Sequence, residues 1–176
     1  MMFEAQTEWI APDSFPDLSG YKLVAIDLET KDPDLKSKGS GSVIGNGEII
    51  GVAVAVDGWC KYYPFGHEGG GNLDKKKVLD WVKTICESSS TKIFHNAMYD
   101  VCWLRSYGIK INGHIMDTMV MASIVNENRL RYTLNALSWE YLGERKSEAT
   151  LFEIAKNWGI DPKAELYKLP AIYVGE

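Results

Sequence analysis

Apolar and polar positions along this chain fall into blocks whose period changes several times. Leu23-Val24-Ala25-Ile26 is an apolar run that reads as a buried strand over 22–28. A long polar segment, 31–47, follows with Gly39, Gly41, Gly45 and Gly47, a length that in compact domains marks a functional or mobile loop. Ile49 to Val56 is rich in β-branched residues and predicts a second strand. Asp57-Gly58 is a hairpin turn signal, Trp59 to Phe65 is the returning strand, and His67 to Gly71 reads as a turn. Val78, Trp81, Val82 and Ile85 recur at helical spacing, so Leu73 to Glu87 predicts an amphipathic helix. Lys92-Ile93-Phe94 is then a short strand, and Asn96 caps a helix to Tyr107 with Gly108 just past its end. Ile115-Met116 is another strand, Asp117-Thr118 opens a helix to about Val125, and helices over 133–142 and 148–158 complete the pattern. Three strands with a hairpin, then βαβα, then helices, predict an α/β fold with a mixed sheet and flanking helices. Trp81, Trp103, Trp139 and Trp158 share helical spacing with other apolar residues and are expected in the core.

Composition narrows the function classes. The 176 residues suit one domain, 21–176, preceded by a leader over 1–20, with no internal repeat. Acidic residues outnumber basic ones, 24 to 19, and the net charge of −5 argues against a wide electrostatic grip on duplex phosphates. It leaves room for an enzyme that holds a short nucleic-acid end through metal ions. No apolar stretch is long enough to span a bilayer, and residues 1–17 lack the pattern of a signal peptide. Cys60, Cys86 and Cys102 are an odd set without CxxC spacing, which predicts reduced, mostly buried thiols in a cytosolic protein and argues against a zinc site.

The chemistry concentrates in two acidic signatures. Asp27 and Glu29 are two apart on an extended backbone, so both side chains leave the same face. Two carboxylates side by side repel, and a bound Mg²⁺ or Mn²⁺, which prefers all-oxygen ligands, removes that cost. About seventy residues on, Asn96 and Asp100 are four apart on one helix face, directly after a strand. That placement lets Asp27, Glu29 and Asp100 converge. Three carboxylates at one point can hold two divalent ions about 3.5–4 Å apart, the arrangement used for in-line phosphoryl displacement.

Asp-x-Glu followed by Asn-x-x-x-Asp resembles the first two motifs of the DEDD 3′–5′ exonucleases. Leu28-Glu29-Thr30-Lys31-Asp32-Pro33, the Gly-rich loop, the segment from Pro64 to Leu73, and Phe94 to Asp100 resemble the proofreading domain of podovirus-type family A DNA polymerases. So do Met116-Asp117-Thr118 and the segment Leu169 to Gly175, and the likeness covers residue 20 to the end. The resemblance implies a ribonuclease H-like fold and a metal-dependent 3′–5′ exonuclease acting on single-stranded or frayed DNA 3′ ends. It also implies a polymerase domain downstream in cis or as a separate chain, and a place in the host-cell cytoplasm. Asp27, Glu29 and Asp100 would be the catalytic and metal-binding residues; Leu28, Thr30, His95, Asn96 and Asp117 would contact the substrate. The chain departs from the family at the third motif, Tyr-x-x-x-Asp, whose Asp is the fourth metal carboxylate. No Tyr after residue 100 is followed by Asp at the fourth position. The expectation is therefore an exonuclease domain whose C-terminal helical part is incomplete, cut just before that motif.

Blander roles stand beside several of these. His95 closes a strand, and Asp117 is a good helix N-cap. His67 lies in a Gly-rich turn, for which the resemblance suggests a surface role near the strand's path and a plain hairpin loop is the alternative. Lys75-Lys76-Lys77 reads as a solvated helix face, and Arg129, Arg131 and Tyr132 as a loop or a basic-aromatic contact for a single strand. Two other functions remain open: a stand-alone ribonuclease of the same superfamily trimming RNA 3′ ends, and an inactive exonuclease-like binding module. Three intact carboxylates argue against the module.

Overall fold

A computed structural model describes residues 7–144, 149–161 and 164–175. Strand β1, Leu23–Lys31, turns Val24, Ile26 and Leu28 into the core and leaves Ala25, Asp27 and Glu29 on the opposite face. It is longer than the apolar run predicts, because pairing with β2, Glu48–Val56, continues through the polar residues to Lys31. β3, Trp59–Pro64, returns along β2 across the Asp57-Gly58 turn. β4, Thr91–Phe94, and β5, Ile115–Asp117, add in parallel on the other side of β1. The sheet is thus mixed, in the order β3-β2-β1-β4-β5.

The predicted loop 31–47 is instead built of two one-turn helices, α1 (Leu35–Lys38) and α2 (Gly41–Ile44). Asp32 holds it by accepting the Gly41 N–H at 3.1 Å, and Asp34 takes Lys38 and Asn46. Helix α3, Lys75–Glu87, starts where Asp74 accepts the Lys77 N–H. It buries Val78, Trp81, Val82 and Ile85 against the inward face of the sheet, beside α4, Ala97–Ser106, which contributes Val101, Trp103 and Leu104.

Residues 7–20 close the edge of the sheet. Phe15 stacks on Tyr63 (5.5 Å between centroids) and meets Trp81 edge-on, while Trp81 Nε1 donates to Pro16 O and Tyr63 Oη to Ser14 O. These contacts pack residues 14–16 against Tyr63 of β3 and Trp81 of α3. Cys86 is buried, Cys102 half-buried, and Cys60 exposed on β3.

The last third is helical: α5 (Thr118–Val125), α6 (Leu134–Leu142), α7 (Ala149–Asn157) and two 3₁₀ turns, Leu166–Lys168 and Ala171–Tyr173. The predicted helix start at Glu148 lies outside the described residues. Trp139 and Trp158 are not core: they are 52% and 45% exposed, and Leu137 and Ala155 face inward in their place. Helical spacing identifies an apolar stripe without saying what covers it. Among the described residues no helix is long and apolar enough to cross a membrane.

Phe15→Ala removes the ring wedged between Tyr63 and Trp81 and should cost about 2–4 kcal/mol, read as a lower denaturation midpoint with an unchanged slope. An unchanged midpoint would mean that residues 7–20 are dispensable to the fold.

Candidate active site

β4 pairs with β1 only as far as Ala25 opposite Ile93. Beyond that point the chain leaves β4 and enters α4, so the Leu28 N–H on this side meets no strand. The Asp100 carboxylate takes the strand's place, accepting that N–H on Oδ1 at 3.2 Å. On the other side the ladder continues, with Asp27 opposite Ala53 and Glu29 opposite Gly51, and a register shift falls between Glu29 and Thr30. Such irregularities re-aim side chains at strand ends. Asp27 is exposed and Glu29 half-buried; Ala25 and Ala53 are small neighbours on that face, and the Tyr62 ring lies over Gly51.

Asp100 is only 4% exposed. Burial, and then the negative charge of Asp27, push its carboxyl up to about 7, against the pull of the Leu28 N–H. An acid in this position resists ionisation unless a cation neutralises it. The donor set is all carboxylate oxygen, which fits a hard divalent ion. Among the described residues no three acidic, His or Cys side chains are gathered tightly enough to hold an ion as they stand. Asp27 and Glu29 leave one face of β1, and Asp100 is bonded to the Leu28 N–H between them.

Asp117 ties the neighbouring elements together. Its carboxylate accepts N–H groups from Asn96 (3.1 Å) and Ala97 (2.8 Å) at the start of α4, and from Met119 (2.9 Å) and Val120 (3.3 Å) at the start of α5. These bonds hold its pKa down against the effect of burial. Asn96 does not cap α4 with its own side chain, as the sequence predicts; the Asp117 carboxylate does that work. Asn96 instead sits at φ +71°, the one non-glycine positive φ among the described residues, with its side chain exposed.

His95 Nδ1 is 2.9 Å from Thr118 Oγ1, which itself donates to Phe94 O. The imidazole therefore donates from Nδ1, and its buried Nε2 has no partner among the described residues. Thr30 Oγ1 lies 2.7 Å from Tyr99 Oη, which donates to Asp32, so the threonine proton is already engaged. Leu28 offers the site its N–H, because its side chain is in the core.

A family profile described as 3′–5′ exonuclease, of DNA polymerase A, matches residues 4–169. The chain belongs to this exonuclease domain family. It is 35% identical over 97% of its length to a DNA-directed DNA polymerase of Pseudomonas phage M6, of which it covers 27%. The chain spans about a quarter or less of the curated relatives it matches. Its fold is similar to that of Brucella melitensis NrnC with bound Mg²⁺ (TM-score 0.53, 17% identity, 85% of this chain and 81% of that one). It is also similar to Escherichia coli RNase D, an exoribonuclease involved in structured RNA processing (TM-score 0.52, 14% identity, 76% and 31%). The predicted ribonuclease H-like α/β architecture is therefore the observed one.

The exonuclease domain holds a buried polar pair that the sequence pattern did not single out as one. His67, read from its glycine-rich surroundings as a turn or surface residue, is 3% exposed. Its Nδ1 lies 3.1 Å from Leu169 O, and its Nε2 lies 2.6 Å from Tyr62 Oη. A carbonyl only accepts, so Nδ1 carries the proton and Tyr62 donates to Nε2. Burial lowers the His67 pKa to about 4 and keeps the ring neutral. The Tyr62–Ala53–Asp27 row of the two ladders puts the pair beside the acids, a neighbourhood legible only once strand register is known. Arg129 is engaged by Glu140 and Tyr141, and Lys75 by Glu48.

Two predictions follow from the electrostatics. Between the unfolded carboxyl value, 3.8, and about 7, the folded state binds more protons at Asp100, so this group makes stability fall as pH rises. Depressed His67 acts oppositely between about 4 and 6.5 but is common to both proteins when parent and Asp100→Asn are compared. The variant's melting temperature should exceed the parent's by a margin that widens from about pH 5 to pH 8, and Mn²⁺ should close it by stabilising the parent. A margin flat with pH would refute this account. Asp117→Ala leaves four helix-end N–H groups without an acceptor and should cost about 2–3 kcal/mol in denaturant unfolding.

Proposed function

We propose that this chain is a metal-dependent 3′–5′ exonuclease that removes nucleotides from single-stranded or frayed DNA 3′ ends and proofreads for a phage DNA polymerase in the host-cell cytoplasm. The observation that carries the reading is the buried Asp100 carboxyl, set against β1 beside Asp27 at a place where its charge calls for a cation. Asp27, Glu29 and Asp100 would hold Mg²⁺ or Mn²⁺, two ions in a complete site. When bound, the ions neutralise the acids and the phosphate during in-line displacement.

The chain's own groups then position the DNA end. Asn96, exposed at a helix start on the α4 side of the acids, would receive the terminal nucleotide, with His95 next to it in the chain. Thr30 borders the acids on β1. Asp117 serves the substrate indirectly, by fixing the helix starts that carry Asn96 and His95. The relatives named as phage DNA polymerases support DNA as the substrate and a polymerase portion as the partner, in cis or as a separate chain. The chain itself offers three of the family's four carboxylates, so one divalent ion should bind more tightly than a second.

The test is cleavage of a 5′-labelled single-stranded DNA oligomer with Mn²⁺, beside Asp27→Ala. A ladder shortening from the 3′ end, reduced at least about a hundredfold in the variant, is expected. Faster cleavage of the matching RNA would favour the ribonuclease, and no cleavage of either would favour the binding module. Calorimetric titration with Mn²⁺ should give one dominant site; two sites of equal affinity would contradict the three-carboxylate account.

A further inference from the structure

We infer that Lys31, Tyr167 and Lys168 form a phosphate-binding track that carries the single strand away from the acids, with Glu68 and Glu165 occupying it until DNA arrives. The inference rests on the exonuclease reading above and names how that site holds the rest of its substrate. Lys31 is two residues past Glu29 on β1, a step of about 7 Å along an extended strand. That step is comparable to a nucleotide in a stretched single strand. The Lys31 Nζ lies 4.5 Å from the centroid of the Tyr167 ring, which the 3₁₀ turn Leu166–Lys168 sets against β1. Lys168 Nζ lies 5.9 Å from the same centroid. Two ammoniums are thus gathered on one ring at the end of the strand that carries Asp27 and Glu29.

Charge explains why this gathering calls for an anion. Two like charges at one ring repel, and each is balanced by an acid of its own: Lys31 pairs with Glu68 at 2.7 Å, and Lys168 with Glu165. Both pairs are open to water; the Lys31 and Glu68 side chains are 33% and 51% exposed. Ion pairs this exposed are weak and exchange partners readily. A phosphodiester offers the charge and the oxygen acceptors of a carboxylate, so successive phosphates can take the lysines from Glu68 and Glu165. The surroundings favour that exchange. The chain carries a net charge of −5, and the site's own acids repel an incoming strand. Ions held by the acids neutralise the phosphate being cut, and the phosphates behind it need cations of their own. The backbone keeps the track in place: the Glu68 N–H donates to Tyr167 O at 2.8 Å, and Leu169, next to Lys168, gives its carbonyl to His67. A plain surface ion pair would tie this turn to β1 equally well, but DNA would not compete for it.

The experiment compares the full chain with the double variant Lys31→Gln and Lys168→Gln, with Glu68→Gln and with Asp27→Ala. Cleavage of a labelled DNA oligomer of about eight nucleotides and of a dinucleotide is followed with Mn²⁺ across a salt series, together with oligomer Kd by fluorescence anisotropy and melting temperature. The double variant should raise KM and Kd for the oligomer about 3- to 10-fold with kcat within about twofold of the parent, and should change the dinucleotide KM by less than about twofold. Its log–log salt slope should flatten by about 0.7 for each lysine. Glu68→Gln, which frees Lys31 for phosphate, should lower the oligomer Kd about 2- to 3-fold, and it decides the matter alone if the double variant does not fold. A parental oligomer KM and salt slope in the double variant overturn the track. A loss that falls equally on dinucleotide and oligomer makes the lysines structural and also overturns it. A parent no more active than Asp27→Ala overturns the exonuclease reading, and the anisotropy shifts then decide the track separately.

Discussion

Placing a third carboxylate beside two others is the constraint on which this site depends. Asp27 and Glu29 share a strand face, and Asp100 is buried against the same strand, where both burial and Asp27 oppose its charge. The fold supplies backbone N–H groups in compensation, that of Asp100 itself and that of Leu28, which is open to it because β1 outruns β4. Were β4 two residues longer, the Leu28 N–H would pair with a strand and the acid would lose that anchor. The difference in strand length is thus as much a part of the site as the acids are.

A second carboxylate, Asp117, performs the complementary task. It binds four N–H groups at the starts of two helices, where helix dipoles favour negative charge, and so its pKa falls where that of Asp100 rises. Two aspartates of the same motif region thereby take opposite roles. The one held by four backbone N–H groups builds the framework, and the other, more deeply buried beside Asp27, is pushed toward its neutral form. Asn96 follows from this arrangement. With Asp117 already capping α4, its backbone can adopt a left-handed conformation that Asn tolerates better than most residues, and its amide is left facing outward.

The sheet, the hairpin and most helices were legible because period and turn chemistry are local. The shared face of Asp27 and Glu29 was legible for the same reason, since spacing of two on a strand needs no tertiary knowledge, whereas the Asp100 contact with β1 needs the packed fold. What stayed hidden depends on register or on what covers a surface. Tyr62 joins the acids through two successive strand pairings, and His67 is buried by a segment a hundred residues later, so neither shows in its own neighbourhood of sequence. Trp139 and Trp158 failed in the other direction, since an apolar stripe on a late helix was read as core and the structure leaves both half open. The order of loop 31–47 was missed because it comes from Asp32 and Asp34 side chains bonding across the loop.

The late segment that buries His67 makes the two ends of the chain interdependent. Glu68 N–H donates to Tyr167 O and Ala171 N–H to Gly70 O, while Gly69 allows Pro170 to approach so closely that a Cβ there would lie 2.3 Å from the proline nitrogen. Leu169, fully buried, presents its carbonyl to His67 from this segment. Trp9 packs over Tyr62 on one side and on Gly175 on the other. The strand that carries Asp27 and Glu29 is formed early in the chain, yet the side chains flanking it are placed only when residues 166–175 have docked. The same segment also reaches the strand of the acids, where Lys31 Nζ lies 4.5 Å from the Tyr167 ring centroid and pairs with Glu68, so its docking bears on β1 as well as on the buried tyrosine–histidine pair.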